Sequence, residues 1–63
     1  MKLSEKIKQA RKAAGLTQEE IAKMIGVKQS NYTVYENGVE PRFDRLVKIA
    51  EACKVDISYF IKK

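Results

Sequence analysis

Leu16-Thr17-Gln18-Glu19-Glu20-Ile21-Ala22, followed four residues on by Gly26-Val27, decides the fold. Thr17 and Glu20 have the spacing of a capping box. The Thr17 hydroxyl accepts from the backbone N–H of Glu20, and the Glu20 carboxylate reaches back to the N–H of Thr17. Leu16 and Ile21 occupy the two positions of a hydrophobic staple around that cap. Ile21, Ala22 and Ile25 then form one inward stripe. Gly26, free to take positive φ, ends the helix after about two turns. Val27 is expected to plug the corner that follows.

Working outward, Ser4 to Ala14 reads as a helix with Ile7, Ala10, Arg11 and Ala14 on one face and Leu3 just before it. Lys2, Lys6, Lys8 and Lys12 lie mostly on its other faces, and Gly15 supplies the stop. A third segment runs from roughly Gln29 to the Asn37-Gly38 pair. Beyond the loop Val39-Glu40-Pro41, the inward set Phe43, Leu46, Val47, Ile49, Ala50 and Cys53 marks a fourth helix. Val55 and Ile57 lead into a short last helix with Tyr59, Phe60 and Ile61. No segment shows sustained strand alternation. The expected fold is all-α, five short helices around one core, in a single domain over residues 1–63.

A chain of 63 residues buries little apolar surface, so each large hydrophobe is expected in that one core. Thirteen basic against eight acidic residues give a net charge of +5. A small basic domain suits a polyanion, most simply nucleic acid. Histidine is absent and Cys53 is the only cysteine, which excludes a disulfide within the chain, a structural zinc site and a histidine-based triad. Eight carboxylates without a metal cluster or a glycine-rich phosphate loop suggest no reaction. The chain is therefore read as no enzyme, with no cofactor, no metal and no evident small-molecule effector. No apolar run reaches membrane-spanning length and no signal-peptide core is present, so a reduced cytoplasmic, nucleoid-associated location is expected, with no membrane partner.

Two helices joined by a glycine-containing turn have the spacing of a helix-turn-helix, here approximately 17–37. Gln29, Ser30, Asn31 and Thr33 crowd the start of its second helix, and only Gln29 is a strong helix former. Their donors and acceptors are of the kind that reads base edges in the major groove. From that segment alone, a solvated polar face with no ligand accounts for the pattern equally well.

Residues 3 to 61 resemble the Cro/cI-type helix-turn-helix family, which includes the lambdoid phage repressors. The matching residues are the Leu16–Ala22 string, Gly26-Val27, Glu36-Asn37-Gly38 and Pro41, with Arg11, Ile49-Ala50 and Val55. The resemblance implies a lambda-repressor-like fold and duplex DNA as partner. It gives Gln18 a bond to the DNA backbone and a brace on the first residue of the recognition helix. Gln29 and Ser30 match the leading base-reading positions, and physically Gln29 suits adenine N6/N7 while Ser30 suits either base type. Thr33 and Val34, one turn on, match further base or phosphate contacts. Val34 offers methyl groups to a thymine methyl, or is an incidental exposed valine. Asn37 matches a phosphate contact. Arg42 matches a minor-groove arginine of some phage repressors, with a solvated side chain as the other possibility. Arg11 and Glu36, both plausible DNA contacts on charge, are implied to form a structural ion pair instead.

Some positions depart from the family pattern. Lys28 replaces a helix-capping Ser or Thr, which weakens that cap by roughly 1 kcal/mol and offers a phosphate contact. Tyr32 and Tyr35 sit at core positions, so their rings are expected inward and their hydroxyls at solvent or the DNA backbone. Cys53 is expected as a buried, inert thiol. The function implied is a sequence-specific transcriptional regulator, a repressor binding a palindromic operator as a dimer. Tyr59 and Ile61 are the expected dimer surface, since they and Phe60 cannot all face inward on one short helix and at least one is left exposed. The alternative is an antitoxin or other partner-binding module of the same fold. With no effector domain in the sequence, the chain resembles the shortest family members or the N-terminal domain of a longer protein.

Overall fold

Five helices make up the computed structural model, which describes residues 2–61: α1 (Leu3–Ala13), α2 (Gln18–Ile25), α3 (Gln29–Glu36), α4 (Phe43–Cys53) and α5 (Ser58–Ile61). There is no strand among the described residues. Residues 1, 62 and 63, included in the expected domain, lie outside them.

The start of α2 is made by its own side chains. Glu20 N donates to Thr17 Oγ1 at 3.1 Å, and Thr17 N donates to Glu20 Oε1 at 2.8 Å. Three helix ends share another device. At the end of α2, Gly26 N donates to the Lys23 carbonyl and Val27 N to the Ala22 carbonyl, with Gly26 at φ +79°. The same pair of bonds closes α1 at Gly15-Leu16 and α4 at Lys54-Val55. This is a Schellman closure, whose next residue is usually apolar and folds back on the helix. Leu16, Val27 and Val55 all do so, packing half-buried against the core. Lys54 holds the left-handed position, φ +60°, without being glycine.

The core draws on every helix. Ile7 and Ala10 come from α1, and Ile21, Ala22 and Ile25 from α2. Tyr32 comes from α3, Leu46, Ile49, Ala50, Ala52 and Cys53 from α4, and Phe60 from α5. The last described turn is started by Asp56, whose carboxylate accepts from Ser58 N at 2.9 Å. That seats Phe60 inward and leaves Tyr59 and Ile61 outside, 40% and 51% exposed.

Not every large hydrophobe is in the core, since Met24, Val34 and Val39 are exposed. Of the residues expected on inner helix faces, Val47 is only half-buried, and Phe43 and Ala14 lie outside the core. Phe43 is 62% exposed. It shares the face of Val47 and Ala50, but it is the first residue of α4. Helical side chains lean toward the N-terminus, so its ring projects past the end of the helix and beyond the core. Ala14, expected on the inner face of α1, is the exposed residue just past the last helical turn. Helix α1 itself begins at Leu3, one residue before the expected start.

Candidate nucleic-acid interface

Helix α3 contributes little to the core. Of its eight residues only Tyr32 is fully buried. At about 100° per residue, Gln29, Ser30, Thr33, Val34 and the following Asn37 fall within an arc of about 140°. Tyr32 and Tyr35 take the opposite side, and Glu36 lies just outside the arc, between Tyr32 and Gln29. Gln29, Ser30 and Asn37 are exposed, Val34 is 39% exposed, and Thr33 is half-buried. Asn31 is exposed as well, but its position on the helical wheel lies outside the arc and toward Tyr35. Lys28, just before the helix, and Arg42, just before α4, are exposed. Neither makes a side-chain cap to the helix it precedes.

The inner side of α3 is held by one carboxylate. Arg11 Nε donates to Glu36 Oε2 at 2.6 Å and Arg11 Nη2 to Oε1 at 3.3 Å. Gln18 Nε2 donates to Oε1 at 3.0 Å, and the Tyr32 hydroxyl donates to Oε2. The remaining Arg11 nitrogen, Nη1, donates to the Leu16 carbonyl at 2.7 Å. The Arg11 and Glu36 side chains are 10% and 3% exposed, so this is a buried pair with its lone pairs filled. Burial pushes the Glu36 carboxyl up, but the bonds from Arg11, Tyr32 and Gln18 outweigh it and leave the group below its ordinary value. Burial, and then the bond to Glu36, push the Tyr32 hydroxyl far above its usual range. For Arg11 the bond to Glu36 dominates and raises the guanidinium further.

Two side chains sit differently from their expected places. Tyr32 is wholly buried and its hydroxyl is spent on Glu36, not on solvent or DNA. Its ring enters the core from the side of α3 that also carries Glu36, and the four-residue spacing brings the two tips together. That spacing was the signal available in the sequence. Gln18 braces α3 through Glu36 and Thr33 rather than through Gln29. Its Oε1 accepts from the Thr33 hydroxyl at 3.4 Å, because its nitrogen is turned to the carboxylate. Tyr35 is half-buried, its ring edge-on to Tyr32 at 6.2 Å.

A polar helix face is thus held from behind and follows a capped helix and a glycine turn, and the sequence that builds it matches a known family. The helix-turn-helix profile aligns with residues 7–60, most of the chain. The chain belongs to the helix-turn-helix family. Among relatives of this helix-turn-helix chain is the cryptic phage CTXphi transcriptional repressor RstR of Vibrio cholerae serotype O1. It is 40% identical over 58 residues, which are 90% of this chain and 52% of that protein. An uncharacterized HTH-type transcriptional regulator of Bacillus subtilis, YqaE, is 37% identical over 94% of this chain and 52% of its own length. The HTH-type transcriptional regulator ImmR of the same organism is 33% identical over 100% of this chain and 50% of its own length. The helix-turn-helix chain thus spans about half the length of the curated relatives it matches. Among its described residues, no helix is long and apolar enough to cross a membrane.

Proposed function

We propose that the protein is a transcriptional regulator that lays α3 in the major groove of duplex DNA and occupies a palindromic operator as a dimer, repressing the promoter beneath it. One observation carries this. Helix α3 is clamped on its inner side by the Glu36 cluster and presents Gln29, Ser30 and Val34 outward, apolar contacts with the core being left to Tyr32 and Tyr35. A rigid helix with amide, hydroxyl and methyl groups on one face suits base edges, which display donors, acceptors and the thymine methyl. Lys28 and Asn37, at the two ends of α3, supply donors for phosphates, which fix register without reading sequence, and exposed Arg42 is a further donor of the same kind. The names of the relatives, a phage repressor and HTH-type regulators, point the same way.

The test is selection of bound sequences from a random duplex pool, followed by affinity measurements on the selected site. An inverted repeat is the expected product. Gln29→Ala and Ser30→Ala are each expected to weaken binding to that site by roughly 1–3 kcal/mol while sparing affinity for random duplex. A Gln29→Ala variant with undiminished preference would move the reading surface off α3.

A further inference from the structure

We propose that Thr33 is a specificity-determining residue that meets the major groove only as a hydrogen-bond acceptor, and so selects the exocyclic amino group of adenine or cytosine. This rests on the placement of α3 in the groove proposed above.

A hydroxyl has one proton to give. Thr33 Oγ1 lies 2.8 Å from the Gln29 carbonyl, one turn back on the same helix. Its second neighbour, 3.4 Å away, is Gln18 Oε1. Both are bare acceptors, so in either direction the proton is used inside the protein. Nor can Gln18 turn its amide over to offer a donor instead. Its nitrogen is 3.0 Å from Glu36 Oε1, and a carboxylate can only accept. Among the described residues, no group donates to Thr33 Oγ1. The bond to Gln29 also fixes the threonine in one of the two rotamers open to it in a helix. What the half-buried side chain offers outward is therefore a methyl group and oxygen lone pairs at a set position.

That polarity separates the two contacts available to a residue at this point of the helix. Phosphate oxygens accept only, so a hydroxyl whose proton is committed has nothing to give them. On the base edges, guanine N7 and O6 and thymine O4 are likewise acceptors and meet the lone pairs unfavourably. Adenine N6 and cytosine N4 carry amino hydrogens and meet them favourably. Glutamine at Gln29 and the hydroxyl of Ser30 are free to turn either way; Thr33 is not.

The experiment is sequence selection with the parent chain, Thr33→Val and Thr33→Ser. Affinities are then measured for the selected duplex and its single-base variants, with melting temperatures as a check on folding. In the parent, one position of each half-site is expected to favour adenine or cytosine about fivefold, the size of one hydrogen bond exchanged against water. Thr33→Val keeps the shape and the methyl group but is expected to lose that preference alone. Thr33→Ser, which keeps the oxygen, is expected to retain it. Uniform weakening on every duplex in Thr33→Val would make the residue a backbone contact, and unchanged preferences at all positions would remove it from the interface; either overturns the proposal. A parent chain that enriches no sequence would instead overturn the DNA-reading surface itself.

Discussion

Glu36 is the residue on which the placement of α3 turns. Four donor groups from Arg11, Gln18 and Tyr32 converge on its two oxygens, tying α1, α2 and α3 together at one point. Removing a partner from a buried pair is far costlier than the pair's net worth, because the survivor keeps its charge. Arg11→Ala is expected to destabilise the fold by about 3 kcal/mol, since Tyr32 and Gln18 still donate to the stranded carboxylate. For a domain of this size that lowers Tm by at least about 10 °C. The pH dependence follows from the same group. Its pKa in the fold is below the unfolded value, so its stabilisation is complete above about pH 4.3 and is lost as pH falls through the lower folded value. In Arg11→Ala the acid limb should begin at higher pH. Thermal melts across a pH series check both, and an Arg11→Ala chain as stable as the parent but poor at binding DNA would transfer Arg11 to the contact surface. The Arg11–Glu36 contact was legible through family resemblance. The role of Tyr32 was signalled only by its four-residue spacing from Glu36, because an aromatic ring at a core position does not by itself say where its hydroxyl ends.

Helix termini show where the chain sets stability aside. Helix α2 begins with a complete capping box, whereas α1, α3 and α4 begin after Lys2, Lys28 and Arg42, none of which caps with its side chain. A cation there also faces the positive end of the helix dipole, at a cost of about 0.3–1 kcal/mol. Lys28→Ser is therefore expected to raise stability by about 1 kcal/mol. The same change is expected to reduce the slope of log affinity against log salt by about 0.9, the loss of one phosphate contact. Chemical denaturation and a salt titration read the two effects separately; a slope unchanged by Lys28→Ser would place that lysine off the DNA. The starts and stops of α2 were legible because cap chemistry is local. So were Gly15 and Gly26 as helix ends. The end of α4 was not marked, since Lys54 takes the left-handed conformation that the sequence advertises only through glycine or asparagine. Phe43 misled for a related reason: helical periodicity gives the face of a residue but not whether the core extends as far as its turn.

The described molecule measures 29 × 21 × 19 Å. Half-sites one helical turn apart are about 34 Å from centre to centre, so on the proposed palindromic operator one copy is expected to cover one half-site, too few base pairs for discrimination in a genome. Tyr59 and Ile61, exposed together on α5, are the surface through which two copies are expected to meet. The patch is small, so the pair should be weak in solution and completed by DNA. Sedimentation with a palindromic duplex is expected to show two chains per duplex at saturation. One chain per duplex would remove the dimer, and a dimer unaffected by Tyr59→Lys/Ile61→Lys would move its interface elsewhere.

The single fully buried residue of α3 has a consequence for what such a molecule can become. Gln29, Ser30, Asn31 and Val34 are exposed, and the one service Gln29 gives the fold, its backbone carbonyl, any residue supplies. Their side chains can be exchanged without repacking a core residue or loosening the Glu36 clamp. On the reading proposed for α3, most of the address is carried by side chains that the fold does not use, so this scaffold is expected to accept another operator through those positions with no change in how it folds.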